Sequence, residues 1–549
     1  MVRYIVVIKP ESEIGMSAQP MVDKISARSA ILVISMLLAV ATAGGGQSAS
    51  DVKGKNDYSK EPFIIEKSVM RIRFENDGTW TRDTEAAVRM QSEAGVQHYG
   101  LLAFGYSSTN DKIDISYVRV RKADGAVIIT PPENFQDVAA EVTRQAPMYS
   151  DYRERHVAVK GLGVGDTLEY QLRYQVNKPL VPGQFWTEYN FTRSDIILDE
   201  ELAISVPKGR ELKLKSPEVT PVVTENGDRR VYSWKTSNLE RPPEEELKEK
   251  SNETPPASIQ LSTFKSWDEV ARWWGALEEE QVQPTAEIRA KATELTQCAK
   301  SDAEKLHAIY NYVATHFRYV SLSFGIGRYQ PHPAGDVLRN EYGDCKDKHT
   351  LLQSLLRASG IDAYPALINS SRKVDADVAS PAQFDHVISV VPQGKNLVWL
   401  DTTTEVSPFG FLLANQRDKQ ALVITSGKAA SPGAALMASV LGQSPLVKTP
   451  ADPPFKSDVT FEIDAKLDDK GTLTGKIQRS MRGDAEVILR AAFRQVPQTQ
   501  WKDLVQQISY GSGFAGDVGE IVVSTPEDTD KPFQLSYSYT RQKYPDWAN

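Results

Sequence analysis

Three side chains lying far apart in the chain, Cys345, His386 and Asp401, are of the types that thiol chemistry requires. Cys345 stands in Tyr342-Gly343-Asp344-Cys345-Lys346-Asp347-Lys348, ahead of Leu351, Leu352, Leu355 and Leu356, with Gly360 beyond. The leucines recur at helical spacing, Asp344 is a natural N-cap with Asp347 three residues on, and Gly360 is a left-handed terminator. The spacing therefore predicts Cys345 in the first turn of a buried helix. There the unpaired N–H groups and the positive end of the helix dipole favour a thiolate, and Lys346 and Lys348 are expected to add positive charge. A sulfur nucleophile also needs an imidazole and a third group to orient it. Residues 384–391 read as a strand with His386 near its start, residues 397–401 as the next strand ending in Asp401, and residues 392–396 as a hairpin turn. With Gln393-Gly394 as the two-residue loop, His386 is expected directly across from Asp401, Ile388 across from Trp399 and Val390 across from Leu397. The carboxylate would then bond one ring nitrogen and aim the other at sulfur. A slip by an odd number of residues would send the two side chains to opposite faces. The competing readings of Cys345 are a small buried hydrophobe and a disulfide with Cys298, the only other cysteine.

Acyl chemistry at such a thiol also needs donors for an oxyanion. The Cys345 N–H at the helix start supplies one. Tyr319, Tyr329 and Gln330 are candidates for a second, each with an ordinary reading as a packing or loop residue. His349, one turn after Cys345, has no metal partner at sensible spacing and reads as solvated or packed. His332 in Pro331-His332-Pro333 reads as a loop residue shaping the cleft. Gly325-Ile326-Gly327 lacks the Gly-Lys-Ser/Thr ending of a phosphate loop, so no cofactor and no metal is expected. The acidic runs at 244–246 and 278–280 read as solvated surface.

The elements that must position these groups follow from pattern. Residues 58–240 are rich in short β-branched and aromatic runs, broken by Asn76-Asp77-Gly78, Asp124-Gly125 and Asn226-Gly227, which predicts a β-sandwich. Residues 241–260, rich in Pro, Glu and Lys, read as a linker. Helical periodicity then appears at 267–279, at 285–298 and after Ser301, whose spacing to Glu304 suits a capping box. Strand-like runs at 317–324, 363–368, 386–391 and 397–401 follow, an α+β order over residues 261–425. Residues 426–454 read as a second linker. Residues 455–549 read as a β-rich domain with one amphipathic helical piece at 484–494, and since strand-like text runs to Asn549 this domain is expected to be incomplete.

The chain has 549 residues with 64 Lys and Arg against 72 Asp and Glu, a net charge of −8 and 40% hydrophobic residues. This is a globular composition of about three domains, and it excludes global disorder and a basic nucleic-acid binder. Lys24 and Arg28 precede an apolar run at 30–40 and Ala41-Thr42-Ala43, the pattern of a secretory signal peptide over residues 1–43. Residues 1–20 look like an over-long start. The run is shorter than the ~20 apolar residues of a membrane span, so no transmembrane segment is expected in the mature chain, and its location is expected to be periplasmic or extracellular.

Gly343-Asp344-Cys345-Lys346-Asp347, Gly360-Ile361-Asp362-Ala363, Asp385-His386-Val387 and Trp399-Leu400-Asp401-Thr402-Thr403 together resemble the core of bacterial transglutaminase-like proteins of the papain-like cysteine superfamily. The branch they resemble carries an N-terminal β-sandwich of unassigned function and a β-rich C-terminal domain. The resemblance implies Cys345 as nucleophile, His386 as general base and acid, and Asp401 as the residue that orients the ring. Lys346 stands where the animal enzymes have Trp, Val387-Ile388 follow the His in place of Ala-Trp, Thr402 follows Asp401 in place of the frequent Pro, and the animal calcium-binding segments have no counterpart. The expected function is exported thiol acyl transfer or amide hydrolysis on a peptide or protein of the cell envelope. A cysteine peptidase of envelope peptides and a non-catalytic binding or assembly protein are the rival expectations.

Overall fold

The computed structural model describes residues 2–8 and 58–545, apart from 150, 243–253, 255, 322–328, 426–431 and 443. The apolar run at 30–40 and the small residues at 41–43 lie outside the described residues. Among those described, no helix is long and apolar enough to cross a membrane. The chain divides into two compact units, with Ala257–Thr263 in the first and residues from Phe264 onward in the second.

The first unit is a β-sandwich. Its main sheet has eight strands, with Ile197–Pro207, Phe63–Phe74, Trp80–Met90 and Thr167–Val176 adjacent at its centre. Alternation sends one side of each strand inward, so that Ile72, Phe74, Leu202 and Ile204 pack on Ile259 and Leu261 of one three-stranded sheet. Val88, Val118 and Leu168 pack on Leu102 and Val157 of another. The strand Ile259–Ser262 is the middle strand of its small sheet, paired to Trp186–Tyr189 and Lys213–Lys215. The domain boundary drawn from sequence at 260 therefore moves to 263: all four residues of that strand are buried, and its ladder partners belong to the sandwich.

The second unit opens with helices α1 (Trp267–Glu279), α2 (Ala286–Thr296) and α3 (Asp302–His316), each capped by a hydroxyl, from Ser266, Thr285 and Ser301. Next come the two-residue strand β1 (Arg318–Tyr319), helix α4 (Ala334–Asn340), strand β2 (Tyr342–Gly343), which pairs parallel with β1, and helix α5 (Cys345–Ala358). Strands β3 (Tyr364–Ile368), β4 (His386–Gln393), β5 (Asn396–Leu400), β6 (Gln420–Val423) and β7 (Leu446–Lys448) form one antiparallel sheet in the order β5-β4-β3-β6-β7. Leu351, Leu352, Leu355 and Leu356 of α5 lie in a core with Ile309 and Val313 of α3, Ile288 of α2 and Val337 of α4, closed by Val391 and Leu400 of the sheet. Within the predicted linker at 426–454, Pro432–Leu441 and the strand Leu446–Lys448 are instead part of this domain. The linker's Ala- and Leu-rich text forms helix α6 (Pro432–Leu441), which buries Met437 against Ile368, Ile388 and Trp399.

The C-terminal part pairs strands Asp458–Leu467, Leu473–Arg482, Phe533–Arg541 and Asp517–Val523 in that spatial order. It carries helix α7 (Asp484–Gln495), as expected, and helix α8 (Trp501–Gly511), which the sequence reading missed. The segment Val2–Ile8, set aside from sequence as part of an over-long start, is a strand antiparallel to Asp458–Leu467. Leu355→Ala, which empties a fully buried position at the centre of the α5 core, is expected to lower the unfolding free energy by about 2–5 kcal/mol, read from urea denaturation midpoints.

Candidate active site

Cys345 is the first residue of α5 and is buried. The helix start is held by a reciprocal capping box, in which the Asp344 carboxylate accepts from the Asp347 N–H at 3.1 Å and Asp347 accepts from the Asp344 N–H at 3.4 Å. Gly343 is required there, because a Cβ would lie 2.7 Å from the Asp347 Cβ. At the far end Gly360, at φ 78°, and the Ile361 N–H bonded to the Leu356 carbonyl close the helix. Asp347 also accepts from the His332 N–H at 2.7 Å and meets the His332 ring at 3.1 Å, fixing the 331–333 loop beside the helix start. Burial works against a charged His332 ring, yet Asp347 holds its pKa above the ordinary histidine value.

The two lysines expected to favour a thiolate part company. Lys346 is buried, paired with Asp344. Burial opposes its charge, but Asp344, Asp347 and Cys345 together hold its pKa above the usual lysine value. Lys348 points elsewhere, donating to the carbonyls of Phe317 at 2.6 Å and Ala314 at 3.2 Å at the end of α3. Burial pushes its amine down to about 7, against the pull of Glu405 and Asp401, which corrects the expectation that it supplies a cation to Cys345.

His386 and Asp401 meet as expected but in a different register. The ladder pairs Ser389 with Leu400, Val390 with Trp399 and Gln393 with Asn396, so the loop is Gly394-Lys395 rather than Gln393-Gly394. The reason is local. Gly394 adopts φ 62°, the left-handed first position of a two-residue hairpin turn that glycine occupies without strain. Continued by one step, this ladder sets Asp401 opposite Ile388 and diagonal to His386. The slip is of two residues, so both side chains keep the same face, and His386 Nε2 lies 3.0 Å from Asp401 Oδ2. The Cys345 sulfur is near enough to act on the same ring and adds to the rise in its pKa. With Nε2 turned to the carboxylate, Nδ1 is the ring atom left to face sulfur.

Asp401 is buried and richly bonded. The Gln416 amide donates to the oxygen that His386 meets, and the Thr403 N–H and hydroxyl donate to the other at 2.8 and 2.7 Å. The Tyr310 hydroxyl donates to its main-chain carbonyl at 3.1 Å. Burial by itself would raise the carboxyl pKa, but His386 and Thr403 bring it down to about 2. The His386 ring, whose charge burial opposes, is held well above the ordinary histidine value by Asp401 and Cys345. The arrangement keeps a proton on the ring beside the sulfur.

Of the three residues considered as oxyanion donors, Tyr319 is tied to the thiol. Its phenol is pushed well above its usual pKa by burial and by the charges of Cys345 and Asp344, and β1 pairs it with Gly343, two residues from the sulfur. Tyr329 is buried with its ring edge-on to Trp273 at 5.2 Å, and Gln330 is exposed. His349 is packed: it bonds Ser389 at 2.6 Å and Gln353 at 3.1 Å and pairs with Glu278 at 3.0 Å. Glu278 is consequently buried, unlike the solvated run expected from sequence. Both cysteines are free, and Cys298 is exposed, which removes the disulfide reading. Gln416, Thr403, Tyr310 and Glu405 were missed from sequence. Only Thr403, two residues after Asp401 where a hydroxyl turns back to a carboxylate, had a local signal.

Residues 289–382 match the model of the transglutaminase-like superfamily, and residues 76–243 match that of a domain of unknown function (DUF3857). The first match contains Cys345 and ends four residues before His386. No curated protein matches the chain. A Parabacteroides distasonis protein provisionally named a protease is similar at 14% identity and a TM-score of 0.53, over 88% of this chain and 94% of its own, which is a likeness of fold. A Cytophaga hutchinsonii protein provisionally named a cysteine protease (11% identity, 62% and 78% covered, TM-score 0.18) and an M1 zinc metallopeptidase from Deinococcus radiodurans (10% identity, 37% and 42% covered, TM-score 0.20) are too distant in shape to bear on the argument.

Two pH dependences follow. The folded pKa of Asp401, about 2, lies below its ordinary 3.8. Its stabilisation is thus complete above about pH 4 and lost as pH falls through 2. The difference in urea midpoint between the unsubstituted chain and Asp401→Asn is expected to shrink over that window. Lys348 has the opposite chemistry, a base held at about 7 against 10.5, so the unfolded chain binds more protons between those values and stability rises with pH there. Lys348→Met is expected to lack that rise in the same titration.

Proposed function

We propose that this chain, a transglutaminase-like core behind a DUF3857 domain, is an exported thiol enzyme that cleaves or transfers peptide or protein amides through Cys345, His386 and Asp401. The observation that carries the reading is the His386 ring held 3.0 Å from the buried Asp401 carboxylate and raised in pKa by that carboxylate and by the sulfur at the capped start of α5. Its chemistry follows from proton positions. The thiolate attacks an amide carbonyl carbon, the carbonyl oxygen takes the negative charge, and the Cys345 N–H and the Tyr319 phenol are the donors at hand. As the C–N bond breaks, the His386 proton passes to the leaving amine and a thioester remains. Neutral His386 then takes a proton from water, or from a second amine, which attacks the thioester and restores the thiol.

Hydrolysis, as a peptidase of cell-envelope peptides, is the nearer alternative to transfer. It is favoured by the likeness of fold to a protein provisionally named a protease and by Lys346, which occupies the position of the animal enzymes' Trp and is committed to Asp344. Export rests on the charged, apolar and small-residue pattern of residues 1–43. The test is alkylation of Cys345 by iodoacetamide across pH, beside His386→Ala, with the exposed Cys298 scored separately by peptide mapping. The variant is expected to slow Cys345 alkylation near neutral pH by about a hundredfold, and indifference to His386 would leave a non-catalytic scaffold. Incubation with a casein substrate and a fluorescent primary amine separates the outcomes: new peptides without incorporated label mean hydrolysis, and label in protein means transfer.

A further inference from the structure

Helix α7 belongs to the C-terminal sheet region, where the fully buried pair Glu486–Arg490 fixes it. Arg490 donates onward to the carbonyls of Thr525, Pro526 and Lys531 at 2.6–3.0 Å. A different stripe of the same helix, Asp484, Val487, Ala491 and Arg494, repeats at helical spacing and meets the thiol domain. In the middle of the stripe Val487 and Ala491 pack with Val406 and Phe411. At one end Asp484 accepts from the Ala414 N–H at 3.2 Å and pairs with Arg417. Those two residues bracket Gln416, whose amide bonds Asp401. At the other end Arg494 pairs with Glu405 at 3.0 Å and donates to the Thr315 carbonyl at 2.9 Å. Glu405 in turn accepts the Tyr319 N–H at 2.5 Å while its own backbone sits at φ 64°. A non-glycine residue there is strained, and such strain persists where surrounding contacts hold it.

We infer that α7 is a brace for the thiol site, with Arg494 and Asp484 as positioning residues. Arg494 sets Tyr319 through Glu405, and Asp484 sets Asp401 through the Gln416 turn. The C-terminal region is thereby a working part of the centre. This rests on the thiol reading proposed above, and the test is built so that the two can fail separately.

In the full chain, Arg494→Ala and Asp484→Asn are compared with Arg494→Lys, with His386→Ala and with Lys470→Ala, a substitution at an exposed turn of the same region. Two readouts are taken, the rate of Cys345 alkylation and the His386 imidazole resonance in histidine-labelled protein, assigned by its loss in His386→Ala. Arg494→Ala is expected to slow alkylation by about tenfold and to displace the His386 resonance. Arg494→Lys is expected to recover most of the rate, since an ammonium can still pair with Glu405. Asp484→Asn is expected to displace the resonance through Gln416, and Lys470→Ala to change neither. In a Glu405→Gln background Arg494→Ala is expected to add little, because the two substitutions break one path. If Arg494→Ala does not fold, Asp484→Asn decides: a native His386 resonance in that variant overturns the brace. Native values in folded Arg494→Ala, with His386→Ala still slow, overturn it as well and leave the thiol reading standing. Alkylation indifferent to His386 overturns both.

Discussion

A carboxylate taken out of water must be given donors or it will not stay ionised, and the centre of this protein is arranged around one such group. Asp401 accepts bonds from an imidazole, an amide, a main-chain N–H and a hydroxyl, and four different stretches of chain must converge to supply these and the Tyr310 bond to its carbonyl. Strand β4 brings His386, the turn at 414–416 brings Gln416, the chain leaving β5 brings Thr403, and α3 brings Tyr310. An unpaired buried carboxylate costs several kcal/mol, so these elements are constrained together. The ring that Asp401 orients is left with one nitrogen free for sulfur.

The start of α5 solves a similar problem with more charges in less space. Asp344, Lys346 and Asp347 are all buried within one turn, and each is answered by another: the two carboxylates cap each other's N–H groups, Lys346 pairs with Asp344, and Asp347 also holds His332. Burial raises the Asp344 pKa, with the Asp347 charge adding to the rise and Lys346 opposing it. Lys348, one residue on, has main-chain carbonyls nearest its amine and titrates near neutrality. Neighbours in sequence thus reach opposite electrostatic states according to what surrounds each ammonium.

The helix and its sulfur were legible in the sequence because capping, leucine periodicity and a glycine stop are local signals that the folded chain obeys. The pairing of His386 with Asp401 was legible as a face and not as a register: alternation fixes parity, while the choice between Gln393-Gly394 and Gly394-Lys395 depended on which turn position the glycine would take. Gln416, Glu405 and Arg494 were not legible, since what makes each matter is a partner distant in the chain, Asp401, Arg494 and Glu405 in turn. Glu278 shows the converse. Its run of three glutamates reads as surface, but α1 turns the first of them inward onto His349. The apparent linker at 426–454 misled because its Ala- and Leu-rich helix was read by its Pro, Ser and Gly neighbours.

The glycine hairpin between the imidazole and the carboxylate bears on how such a chain can vary over generations. Its tip is solvent-facing and lies beyond the last ladder pair, Gln393 with Asn396, so lengthening or trimming the loop there leaves every rung behind it in place. A single residue gained between His386 and Ser389, or between Leu400 and Asp401, would turn one of the two inward-facing groups around. Genetic drift in length is therefore tolerable at the apex and forbidden on the arms.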